Sequence, residues 1–324
     1  MTFDNAPDSV HRQGTGLQSQ PDRIRRRSWS TRIWQLGAFQ QGAEAWTLFW
    51  QDQNEAEGCC AGSSEIQQPL SSHWSNFASS LGPGRNIIDL GCGNGSVGRA
   101  LLAGNPALRI FGVDYAMVRS SNDPRVHILP GRSMEKLPFP GKSIDAAVSQ
   151  FGFEYGQMED CSRELARVLR PNSPISLLVH HSASRIAIDS LGHRQALAAL
   201  SDEKIGDAFM SGKLPTLDVM LTAVRRQFPH ERIVDEAASG LHRLIGQNRM
   251  HRVAIWRAMK AALAPELTML ADLERAAISP DQIANWLRPL AARFDLVPPE
   301  VMRMTNGLPL CWKIAGRLRP AAQG

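Results

Sequence analysis

No C-x-x-C pair occurs in this chain. The five cysteines, Cys59, Cys60, Cys92, Cys161 and Cys311, are odd in number, and the only neighbours adjoin in sequence. Neither a zinc site nor a disulfide framework fits that pattern, so no metal is expected and each thiol reads as reduced and mostly buried. The vicinal Cys59 and Cys60 carry a minor alternative, capture of a soft metal or metalloid ion. No apolar run reaches the length of about 18 residues that a membrane span needs, and none near the start has the form of a secretory leader. A cytoplasmic protein is expected. Strong charge is lacking too: the formal net charge is +5 over 324 residues.

What is present suffices for a full core, since 43% of residues are hydrophobic and 21% charged. Residues 1–35 differ from the rest. They hold few large aliphatic side chains and a basic cluster, Arg25, Arg26 and Arg27, and read as a disordered tail. Further on, "NIIDLG" (86–91) is apolar, β-branched and ends in glycine, which reads as a buried parallel strand. The stretches "LRIFGVDYA", "VHILPG", "SIDAAVSQFGF" and "PISLLVHH" read as four more strands. "SVGRALLA" and "CSRELARVLRPN" lie between them with helical spacing, the second stopped by Pro171. Strands and helices at this pace predict right-handed βαβ units and a mostly parallel α/β sheet covered on both faces.

Residues 185–278 contain no convincing strand. Helical runs broken at Pro215, Pro229 and Pro265 predict an all-helical insertion after the fifth strand. Ligands of such sheets bind at the carboxyl ends of the strands, so an insertion there would roof the site and select the substrate. The sheet pattern then resumes. "SPDQIANWL" carries a cap at Ser279, a proline at the first helical position and Gln282 three residues after the cap, with Ile283, Trp286, Leu287 and Leu290 on one face. "VMRMTNGLPLCWKIAG" predicts two strands joined at Asn306 and Gly307, so the sheet should end in an antiparallel edge strand. The expected organisation is a tail (1–35), a ligand-binding α/β domain (36–184 and 279–324) and a helical cap (185–278).

"GNGSVG" (93–98) satisfies G-x-G-x-x-G, and Asp114 follows about twenty residues on at the end of the next strand, as a dinucleotide site requires. Asp89 argues otherwise. A carboxylate just before the first glycine would repel a pyrophosphate placed over this loop. S-adenosyl-L-methionine carries a sulfonium and an ammonium instead, so the same carboxylate would help, and Gly91, Gly93 and Gly95 would let the backbone approach the amino-acid part closely.

With this, "IIDLGCGNG" resembles the first motif of the class I S-adenosylmethionine-dependent methyltransferases, an acidic residue followed by G-x-G-x-G. Three further segments match that family in order: "FGVDYA", "GRSMEKLPFPGKSIDAAVSQFGFEY" and "RELARVLRPNSPISLLVH". The match spans about residues 70–182 and resumes at about 279–317. The resemblance implies a Rossmann-like seven-stranded methyltransferase sheet and S-adenosyl-L-methionine as cofactor. It also implies that Asp114, with Tyr115 beside it, holds the ribose, and that Ser133 and Met134 lie at the adenine edge. One departure is visible: many relatives place an aspartate where this chain has Ser133, and a hydroxyl accepts the adenine amino group more weakly. The segment "YAMVRSSNDPR" after Asp114 is also short for a crossover helix.

Gln150 and Phe151 end the fourth strand and should face the methyl-transfer cleft. Glu154 and Tyr155 follow, and His180 and His181 close the fifth strand, so all reach one mouth. Tyr155 and His181, then His180, are the candidate proton acceptors, although strand alternation lets only one of the two histidines face the cleft unless the strand has already ended. Trp46, Phe49 and Trp50 share a helical face and read as core or lid packing, with cofactor contact the lesser alternative. Residues 225–260 hold eight Lys or Arg against three acids, a surplus that could steer an anionic substrate. A small biosynthetic metabolite, a lipid-like quinone and a nucleic acid compete as acceptor; no aromatic stacking platform or RNA-binding module accompanies the surplus, which favours a small molecule. A nucleic-acid methyltransferase, a catalytically silent S-adenosylmethionine-binding protein and an NAD dehydrogenase are the competing readings.

Overall fold

A computed structural model describes residues 43–52 and 64–320. The basic tail, Cys59 and Cys60 lie outside the described residues. A first helix, α1 (Ala43–Asp52), is followed by α2 (Ser64–Ser79), β1 (Asn86–Leu90), α3 (Ser96–Gly104), β2 (Arg109–Asp114) and β3 (Val126–Pro130). Then come β4 (Ala146–Gln150), a 3-10 turn at Phe153–Tyr155, α4 (Met158–Val168) and β5 (Pro174–His180). The strands stand in the order β3-β2-β1-β4-β5 and all run parallel.

The apolar runs form strands because β1, β4 and β5, inside the sheet, are buried on both faces, whereas β3 at its edge is covered only in part. On one face the strands pack against Leu165 and Val168 of α4 and against Ile283, Leu287 and Leu290. On the other they pack against Ile66, Leu70 and Trp74 of α2 and Val97 and Leu101 of α3. Burial of this kind contributes roughly 1.5–3 kcal/mol for each large aliphatic or aromatic side chain. A polar contact also crosses the second layer: His73 Nε2 lies 2.9 Å from Ser176 Oγ. Burial, with Lys313 adding, lowers its pKa from 6.5 to about 4. The unfolded chain therefore takes up a proton that the folded chain refuses, so stability is lost as pH falls from about 6.5 towards 4. We expect His73→Asn to flatten the pH dependence of the urea unfolding midpoint in that window; an unchanged slope would assign it to other groups.

Residues 185–276 form five helices, α5 (Arg185–Leu200), α6 (Glu203–Met210), α7 (Leu214–Gln227), α8 (Arg232–Leu244) and α9 (Arg249–Ala276). They have a core of their own, with Phe209, Leu217, Leu221, Leu241 and Trp256 among its buried members. Pro215 sits in the first turn of α7, where a missing N–H costs nothing, and Pro229 lies in the turn after it. Pro265 does not break its helix, contrary to the expected interruption. The carbonyl it cannot bond is that of Ala261, which is exposed and can be satisfied by water.

The chain returns through two short helices, α10 (Ile283–Trp286) and α11 (Arg288–Ala291), to β6 (Phe294–Leu296), β7 (Glu300–Arg303) and β8 (Pro309–Leu318). The Ser279 N–H donates to Gln282 Oε1 (3.0 Å), half of the expected capping box. β8 runs antiparallel to β5, and both β6 and β7 pair with its far side. The sheet thus has eight strands rather than seven, because Phe294–Leu296 is too short to show an alternating pattern. At the β7–β8 turn only Gly307 has a positive φ (82°), so the expected pair with Asn306 reduces to one residue.

No helix bridges β2 and β3. α1 packs there instead: Trp50 joins Ala116, Val118 and Ile128 in a small apolar cluster. The Met117 N–H donates to Thr47 Oγ1 (3.0 Å), and Arg119 donates to the Gln51 carbonyl (2.9 Å).

Candidate functional site

The site begins where β1 ends. Its last residue leads into Gly91 (φ 66°), Gly93 (φ 50°) and Gly95 (φ 76°), the last being the N-cap of α3. Two of these have no room for a side chain. A Cβ on Gly91 would stand 2.7 Å from the Gly152 Cα, and one on Gly93 would meet the Trp50 ring at 2.4 Å. The glycine loop is therefore pressed between the β4 exit and the indole of α1.

Two carboxylates flank this loop. Asp89 is 1% exposed, and neither of its oxygens has a hydrogen-bond partner among the described residues. Burial, with Asp114 nearby, pushes its pKa well above the ordinary carboxylate range. Asp114 is also buried, but it accepts hydrogen bonds from the Gly93 and Ala116 N–H groups, each at 2.8 Å. Burial raises its pKa as well, against the pull of those two bonds. An orphaned buried carboxylate calls for a cationic ligand. The ammonium and sulfonium of S-adenosylmethionine meet that demand, whereas a pyrophosphate would aggravate it; the residues present fit the cofactor.

The adenine-side loop differs from the expectation in one respect. The Ser133 hydroxyl donates to Glu135 Oε2 (2.8 Å) and accepts the Glu135 N–H (3.0 Å), while Glu135 Oε1 accepts the Gln157 N–H (2.8 Å). The carboxylate of this loop is thus Glu135, two residues on, which sequence reasoning passed over although "SMEKLPF" displays it. Met134 packs partly buried against the sheet core, and Tyr115 stands 64% exposed beside Asp114.

At the ends of β4 and β5 the residues divide. Gln150 Oε1 accepts the indole N–H of Trp74 (2.6 Å), which ties it to α2. Phe151 takes a positive φ (58°), and its ring lies 4.4 Å from that of His180. Glu154 Oε1 accepts both the His180 backbone N–H (2.8 Å) and the ring Nδ1 (2.7 Å). The Tyr155 ring stands 6.1 Å from His180 and 5.2 Å from Trp46 of α1. His181 turns to the opposite face, stacks on Trp312 at 4.7 Å and accepts the Ala183 N–H at Nδ1 (3.0 Å). Burial, then Arg303, lowers its pKa. The structure thus brings together Tyr155 and His180, with Glu154 and Phe151, and separates them from His181.

Residues 88–177 match the family described as a methyltransferase domain. No curated protein matches the chain. Among solved structures, the chain is similar to one from a complex of the Haloferax volcanii Trm112 methyltransferase activator with a protein described as a methyltransferase (24% identity, TM-score 0.32). That alignment covers 36% of this chain and 54%, about half, of the other. It is also similar to the geranyl diphosphate C-methyltransferase of Streptomyces coelicolor A3(2) (16% identity, 45% and 70% covered, TM-score 0.34). A third is an S-adenosylmethionine-dependent methyltransferase of Aquifex aeolicus (11% identity, 78% and 91% covered, TM-score 0.41). The parallel sheet and the glycine loop flanked by Asp89 and Asp114 thus contain the segment, residues 88–177, that matches a methyltransferase domain.

Proposed function

We propose that the protein transfers a methyl group to a small-molecule acceptor bound under the helices α1 and α9, with the cofactor at the glycine loop. In this reading Asp89, Gly91, Gly93 and Gly95 hold the amino-acid part, Asp114 and Tyr115 the ribose, and Ser133 and Met134 the adenine edge. Gln150 and Phe151 form the wall towards the acceptor. The observation that carries the substrate class is the closed mouth: α9 packs on both α1 and the Phe153–Tyr155 turn, and Trp46 lies across Tyr155. A mouth so covered admits a metabolite more readily than a polymer.

Individual cations of the helical region are engaged by neighbouring groups, although Asp235 and Glu236 are already counted in its net surplus. Arg225 pairs with Asp235 (2.9 Å) and Arg232 with Glu236 (3.0 Å), Lys260 pairs with Glu203, and Arg252 donates to the Met210 and Ile245 carbonyls. A nucleic-acid surface would instead need cations directed outward along a track. The test is incubation of the protein with methyl-labelled S-adenosylmethionine and, in parallel, a small-metabolite extract and total RNA. Label is expected in the extract alone, independent of salt. Label in RNA that declines steeply with salt would reverse the assignment.

A further inference from the structure

The proton chemistry of the acceptor can be read from two residues that meet only in the fold. Glu154 and His180 are 26 positions apart, yet both lie at the carboxyl ends of the strands, and both side chains are essentially buried, at 0% and 2% exposure. Glu154 Oε1 receives two donors, and Oε2 has no partner among the described residues. A carboxylate accepts, so Nδ1 is the ring nitrogen that donates to Glu154. Nε2, for which the described residues supply no hydrogen bond, is then left as a base. It lies among the aromatic rings of Phe151 and Tyr155. Phe151 is joined to Gly152, whose backbone abuts Gly91 of the glycine loop. The base thus adjoins the place where an acceptor would meet the cofactor.

We propose that His180 is the proton acceptor of the transfer, that Glu154 is its positioning residue, and that the acceptor is a small aromatic or enolic hydroxyl compound. The assignment rests on the proposed small-molecule reading. A carboxylic acid is already ionised at neutral pH and needs no base, whereas a neutral hydroxyl must lose its proton as it is methylated. The aromatic rim suits a flat partner. The cofactor supplies an electrophilic methyl carbon: its bond to sulfur breaks with the pair leaving on sulfur as the acceptor oxygen bonds to it. The oxygen's proton passes to Nε2. The imidazolium so formed keeps Nδ1–H on Glu154, whose charge stabilises it, and returns its proton to solvent once product leaves.

Para-nitrophenol bound to the full-length protein together with S-adenosylhomocysteine tests this, because its ionised form absorbs visibly. We expect the phenolate band in the wild type at a pH where the free probe is neutral, and its loss by at least about tenfold in H180N and in E154Q. Affinity for S-adenosylhomocysteine, measured by calorimetry, should stay within about threefold in both variants. In nitrogen-labelled protein without ligand, E154L should move the His180 proton from Nδ1 towards Nε2, a change that a purely structural role of Glu154 would not produce. If H180N does not fold, H180Q takes its place. Absence of the band in the wild type, its persistence in H180N, or an unmoved tautomer in E154L would overturn the proposal. Failure of S-adenosylhomocysteine to bind at all would instead overturn the functional reading on which it rests.

Discussion

Asp89→Asn is expected to raise the melting temperature of the ligand-free protein while weakening its hold on S-adenosylmethionine. The carboxyl is 1% exposed, both oxygens lack partners among the described residues, and burial lifts its pKa well above 3.8. A raised folded-state pKa means that the folded chain binds the proton more tightly than the unfolded chain. Stability from this group is therefore full below about 3.8 and is lost as pH rises through the folded-state value. Asparagine keeps the shape and removes the titration. The variant should melt a few degrees higher near neutral pH, at about 2–4 °C per kcal/mol, and its melting temperature should vary less with pH. The same change removes a charge-assisted contact to the ligand, worth about 1.5–3 kcal/mol, so affinity should fall roughly ten- to a hundredfold. Melting curves over pH and a calorimetric titration check both parts. A lower melting temperature with unchanged affinity would mean that the carboxylate serves the fold and not the ligand.

Gly91→Val is expected to be the most damaging single substitution in the glycine loop. Gly91 has φ 66°, and its Cβ would lie 2.7 Å from the Gly152 Cα, a backbone atom that cannot swing aside. The Gly91 and Cys92 N–H groups donate to the Val113 carbonyl (2.8 and 3.2 Å), so displacement of the loop would also loosen β2. Backbone strain of about 1–3 kcal/mol and overpacking of about 1–3 kcal/mol give a loss of roughly 2–6 kcal/mol. Gly84 supplies the control: its φ is 70°, but nothing lies within 4 Å of its Cβ position. Gly84→Val should therefore cost the strain alone. Denaturation midpoints of the two variants measure the difference, and equal losses would show that contact with Gly152 is not what limits position 91.

Much of this arrangement was legible in the amino-acid order because it depends on local pattern. Strands β1, β2, β4 and β5 are largely buried on both faces, so each is written as a nearly unbroken apolar run ending at the carboxyl edge of the sheet. The glycine loop is legible because positive φ demands a particular residue type. What stayed hidden depends on the third dimension. β6 has three residues and exists only because β8 offers it a free edge. Trp46, Phe49 and Trp50 announced an apolar helical face but not that this face would lie on the glycine loop, where a crossover helix is missing. The two adjacent histidines show the limit most clearly. Alternation set the two on different faces while the strand continues, and the contact of His180 with Glu154 could not be read from the order. His181 was favoured from sequence and instead stacks on Trp312.

The central claim is that the glycine loop, with Asp89 and Asp114 beside it, is built for a cationic nucleoside ligand. Calorimetric titration of the purified protein with S-adenosylmethionine, S-adenosylhomocysteine and NAD tests it most directly. The account predicts saturable one-site binding of the first two and none of NAD. Saturable binding of NAD, with no heat from S-adenosylmethionine, would contradict it, because the buried Asp89 would then face a pyrophosphate.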